Sequence, residues 1–114
     1  MIHIIRTKCT PEQMQDMLTA LIERVKLAVD VRRGILAGGG AMHADCEMAL
    51  LQDGSAQEDV WGADWLPLEQ AVGYESLINI RPRQGNRKLE IEDPALRRSI
   101  EQIVTTLMRG VPNA

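Results

Sequence analysis

Gly34-Ile-Leu-Ala-Gly-Gly-Gly-Ala-Met-His-Ala-Asp-Cys-Glu47 decides the fold, because the residues after its three glycines read two ways. From Asp45 to Leu51, Cys46, Met48 and Leu50 fall at every second position, the period of a strand. The same residues, extended back to Ala41, are rich in Ala, Met, Glu and Leu, which favour helix. The strand is preferred because Gln52-Asp53-Gly54-Ser55 is a turn signal that would join it to another strand. The glycine triplet itself is costly to order, so it marks a tight bend or a place where backbone or ligand comes close.

On the N-terminal side, Ile2 to Arg6 is short, apolar and β-branched, a strand. Thr10-Pro11-Glu12-Gln13 combines a capping residue, a first-turn proline and a capping-box partner. Met14, Met17, Leu18, Leu21, Ile22 and Val25 then line one helical face. Leu27, Val29 and Val31 alternate as a second strand, which would run parallel to the first with the helix as crossover. Ile35 to Ala37 is a short partner strand.

Toward the C-terminus, a short strand near Val60 leads into an irregular loop held by Trp61 and Trp65. Tyr74 to Arg81 and Arg87 to Glu92 read as strands of a hairpin around Pro82–Asn86. Asp93-Pro94 starts a second amphipathic helix bearing Leu96, Ile100, Ile103, Val104, Leu107 and Met108, and Gly110 can end it. The expected fold is α+β: a single mixed, mostly antiparallel sheet of five or six strands with two amphipathic helices on one face. Residues 1–110 would form the domain and residues 111–114 a frayed tail. The other sheet face must be polar or covered by a partner, and its apolar positions favour a homodimer.

Composition narrows the classes. At 114 residues the chain suits one domain, and 45% hydrophobic with 25% charged residues is ordinary for a folded protein. Trp61, Trp65 and Tyr74 are the only aromatics, so the core is aliphatic. A net charge of −3 offers no general attraction to nucleic acid. No apolar run is long enough to span a membrane, the N-terminus lacks a signal-peptide pattern, and two cysteines without metal spacing fit free thiols. A soluble cytoplasmic protein is expected.

His43, Asp45, Cys46 and Glu47 are the candidate catalytic residues, since imidazole, thiol and carboxylate crowd together there. On a strand, however, Cys46 would face away from the other three. A metal site from His3, Cys9, His43 and Cys46 requires the first strand beside this segment, and neither a metal nor a cofactor is expected. Asp45, Glu47, Glu58, Asp59 and Asp64 read as a solvated acidic face. Gly38, Gly39 and Gly40 match no phosphate-binding fingerprint, although their N–H groups suit an anion nest. Arg81, Arg83, Arg87 and Lys88 surround the hairpin turn, with Glu90, Glu92 and Asp93 as counterweight.

Four segments carry a resemblance: Ala-Val-Asp-Val-Arg-Arg-Gly-Ile-Leu-Ala-Gly-Gly-Gly (28–40), Met-His-Ala-Asp-Cys-Glu (42–47), Gln-Glu-Asp-Val-Trp-Gly-Ala-Asp-Trp (57–65) and Glu-Ser-Leu-Ile-Asn-Ile-Arg-Pro (75–82). Together they resemble a family of small bacterial proteins, well represented in cyanobacteria, known as a domain of unknown function. The resemblance implies a bacterial cytosolic protein and brings no activity or catalytic residue.

Two functions stay open. The first is a non-enzymatic, dimeric binding or interaction module for a small molecule or protein. Its surface would join Gly38, Gly39 and Gly40 to Trp61, Trp65, Arg81, Arg83 and Arg87. The second is a hydrolase-like enzyme using His43 with Asp45, Cys46 or Glu47. Nucleic-acid binding through the Arg81–Lys88 hairpin ranks below both.

Overall fold

The structure, a computed structural model, describes residues 1–112. Among these the chain runs β1 (His3–Ile5), α1 (Pro11–Met17), β2 (Val25–Asp30), β3 (Ile35–Gly38), α2 (His43–Gln52), β4 (Val60–Leu66), β5 (Ala71–Gly73) and α3 (Pro94–Met108). Single 3-10 turns lie at Gln57–Asp59, Leu77–Asn79 and Pro82–Gln84. Thr10 Oγ1 accepts the Gln13 amide at 3.1 Å and Gln13 Oε1 accepts the Thr10 amide at 3.0 Å, a reciprocal cap for α1. Asp93 caps α3 by accepting the Ala95 amide, with Pro94 in the first turn.

The five strands form one open sheet in the order β1-β3-β2-β4-β5, every neighbouring pair antiparallel. β1 and β2 therefore do run parallel, but β3 lies between them. Val25, Leu27 and Val29 of β2 stand opposite Trp65, Ala63 and Trp61 of β4. With Ile5 and Leu36 they build the larger core, closed by Met14 and Met17 of α1 and by Ile100, Val104 and Met108 of α3. The alternate positions Ala28, Ile35, Ala37 and Val60 face the other way and are covered by Cys46 and Leu50 of α2. α1 and α3 thus share one face, as the sequence suggested, and a third helix covers the second.

That third helix corrects the strand expected from Asp45 to Leu51. The alternation of Cys46, Met48 and Leu50 misleads because Met48 is 54% exposed. The buried pair Cys46 and Leu50 is spaced one helical turn apart. The Gln52–Ser55 turn signal ends the helix instead, with Asp53 at its C-cap and Gly54 at φ +104°. With α2 in place, the second sheet face no longer calls for a partner to cover it.

Other boundaries shift for tertiary reasons. α1 stops at Met17 and leaves Ile22 87% exposed, since β2 needs Val25 onward in the sheet. The loop expected after Val60 is the seven-residue strand β4. Tyr74–Arg81 is not a strand: Leu77 is 73% exposed and the backbone turns as a 3-10 helix. The expected hairpin reduces to isolated bridges Glu75 to Glu90 and Arg81 to Asn86. In place of strand pairing, Asn79 reaches the open edge of β4: its Oδ1 accepts the Gly62 amide at 2.8 Å and its Nδ2 donates to the Gly62 carbonyl at 3.0 Å. Val111, expected in the frayed tail, is buried against the larger core. Asn113 and Ala114 of that tail lie outside the described residues.

Candidate functional site

β4 alternates, so Trp61, Ala63 and Trp65 on one face put Asp64 on the other, beneath α2. α2 opens on His43, with Met42 at the cap position and no side-chain cap. The His43 ring meets Asp64 there, Nε2 to Oδ1 at 2.8 Å, with both side chains largely buried. Arg24 Nη1 approaches the second Asp64 oxygen at 3.4 Å. Lys26 stands directly opposite Asp64 across the β2–β4 pair. An ionised Asp64 accepts the Nε2 hydrogen, which leaves the Nδ1 lone pair on a neutral imidazole free. Among the described residues Nδ1 has no protein partner, and it is not sealed from solvent.

These groups line a cleft of about 560 Å³ between the start of α2 and the segment from Gly73 to Leu89. Its apolar wall comes from Met42, Leu66, Leu77, Ile78 and Leu89. Arg24, Lys26, His43, Asp64, Tyr74 and Glu75 supply its ionisable groups.

The cluster expected from sequence does not converge. His43, Cys46 and Glu47 share the inward side of α2, but each meets a different partner. The Cys46 thiol is fully buried and donates to the Lys26 carbonyl at 3.3 Å. Burial pushes its pKa up, opposite to what a nucleophilic thiolate requires. Glu47 pairs with Arg81 at 3.1 Å. Asp45 is exposed in the first turn of α2. His43 therefore has Asp64, not Asp45, Cys46 or Glu47, as its partner. The four-residue metal set also separates: His3 bonds Asp16, while Cys9 and Cys46 belong to cores on opposite faces of the sheet. No group of three His, Cys, Asp or Glu placed to hold a metal ion occurs among the described residues.

Of the other expected site residues, Trp61, Trp65, Arg81 and the three glycines are packed into the fold. Trp61 and Trp65 are buried in the larger core, not presented on a surface. Arg81 lies over the Trp61 ring at 4.7 Å and donates to the Gln57 and Ile78 carbonyls, pinning the loop rather than offering a free cation. Burial lowers its pKa, with Glu47 opposing that shift. Arg83 and Arg87 are exposed. Gly38, Gly39 and Gly40 are buried. Gly39 has φ +101°, and a side chain there would collide with the Met1 carbonyl; a Cβ at Gly40 would press on Asp45 and the Cys46 sulfur at 3.1 and 3.2 Å. The triplet permits close packing, and the Gly39 amide already donates to the Lys26 carbonyl. Nothing in the sequence singles out Arg24 and Lys26, and Asp64 reads there as part of a solvated acidic face. The link was the β2–β4 register, invisible while β4 was read as a loop.

Antiparallel α+β architecture with a His–Asp cleft defines a class of small domain without naming an activity. The chain belongs to the family described as "Protein of unknown function (DUF5674)", whose model matches residues 3–107. No curated protein and no solved structure matches it. No helix among the described residues is long and apolar enough to cross a membrane.

Proposed function

We propose that this chain is a small-molecule-binding domain of the cytosol and that its ligand occupies the cleft at the start of α2. One observation carries the reading: a cavity of about 560 Å³ with an apolar wall, lined also by an imidazole, two carboxylates and two cations. Small-molecule sites are typically concave, mostly apolar and equipped with a few polar groups that fix orientation. Met42 and Leu77, 56% and 73% exposed, stand at the rim, where a ligand would shield them from water. Buried, unpaired Cys9 and Cys46 suit a reducing compartment. The proposed site includes His43 and does not include the buried indoles and glycines.

Titration with two fluorescent probes, anionic anilinonaphthalene sulfonate and neutral N-phenylnaphthylamine, tests the reading. At least one should bind saturably with one site per chain. Ala44→Trp, which fills the cleft from an exposed helix position, should weaken that binding about tenfold or more. No saturable binding of either probe, or binding indifferent to Ala44→Trp, would remove the cleft as the ligand site.

A further inference from the structure

We propose that the cleft hydrolyses carboxylic esters, with His43 as general base toward water and Asp64 as the residue that positions it. This rests on the cleft being the ligand site. A general base needs a lone pair facing the reactants and a partner that fixes the ring and supports its positive charge once protonated. Asp64 does both through its 2.8 Å bond to Nε2, and Nδ1 is left for water. Asp64 is itself steadied by Arg24. Among the described residues the cleft offers no better nucleophile. The Cys46 thiol is sealed in the smaller core, and Ser76 is buried with its hydroxyl oxygen accepting the Ile78 amide.

The step balances without a further reagent. Nδ1 takes a proton from water as the water oxygen bonds to the acyl carbon, and the carbonyl electron pair moves onto its oxygen. Lys26 lines the cleft and makes none of the ion pairs found among the described residues, so its ammonium is available to that oxyanion. As the carbonyl reforms, the bond to the alcohol oxygen breaks and the imidazolium returns its proton there. The products are a carboxylic acid and an alcohol. Leu66, Leu77 and Leu89 give the apolar part of the ester its wall.

The test uses para-nitrophenyl butyrate and the full chain. The expected result is saturable release of nitrophenolate, with a second-order rate constant about a hundredfold above that of free imidazole. His43→Ala should abolish it and added imidazole should restore part of it. His43→Gln, which keeps an amide donor toward Asp64, should be folded by circular dichroism and equally inactive. Asp64→Asn should lower kcat while KM holds, and Asp64→Glu should recover part of the loss. A wild-type rate no better than free imidazole, or unchanged turnover in folded His43→Gln, overturns the proposal. Saturable naphthylamine binding without turnover would sink catalysis alone; absence of probe binding would take the cleft with it.

Discussion

The side-chain amide of Asn79 supplies hydrogen bonds that a neighbouring strand would otherwise make. Besides both backbone groups of Gly62, it donates to the carbonyls of Tyr74 and Leu89 at 3.2 and 3.3 Å, and it is fully buried. Removing it takes this partner from the buried amide and carbonyl of Gly62, each a desolvation cost, while the Tyr74 and Leu89 carbonyls keep the Ile91 and Ser76 amides. Asn79→Ala should therefore lose roughly 2–4 kcal/mol of stability. Urea unfolding measures this, and a loss within about 0.5 kcal/mol of zero would contradict the bracing role. In the sequence Asn79 sits in Leu-Ile-Asn-Ile and reads as the polar side of a strand. Nothing local distinguishes an amide that faces solvent from one that replaces a strand. The same limit applies to Asp64, whose partner lies twenty-one positions earlier.

At the scale of elements, α1 and α3 were legible because their start signals are local: Thr10 with Gln13, and Asp93 with Pro94. α2 was not, since only Cys46 and Leu50 are buried on it and the exposed Met48 between them mimics a strand's alternation. How tightly these elements close over their thiols is measurable. Burial pushes Cys9 from an ordinary 9.0 to about 11, and burial also raises Cys46. Between these pH values the unfolded chain has released protons that the folded chain still holds. Stability from this source is complete below pH 9.0 and declines as pH rises toward about 11. The thermal midpoint should fall across that window, and Cys9→Ala with Cys46→Ala should flatten the fall. A midpoint that stays level in the wild type would show that the thiols ionise as freely folded as unfolded.

For the whole molecule, coverage of both sheet faces bears on self-association. The homodimer expected from sequence was to bury a bare face, and α2 now does so within one chain. The apolar side chains left to a second copy include Met42, Leu77 and Leu89, grouped around the cleft. Light scattering at micromolar concentration should therefore return the 12.7 kDa of a single chain. A stable mass of twice that value would point to an interface at this rim. One arrangement also offers a test for the proposed ligand. His43 opens the very helix that seals the smaller core, so a molecule seated against it fastens that helix to β4. Occupancy at about a hundred times Kd would add roughly 2.7 kcal/mol to the folded state. A library of metabolites screened by melting-temperature rise can thus search for the natural compound without any assay of its chemistry.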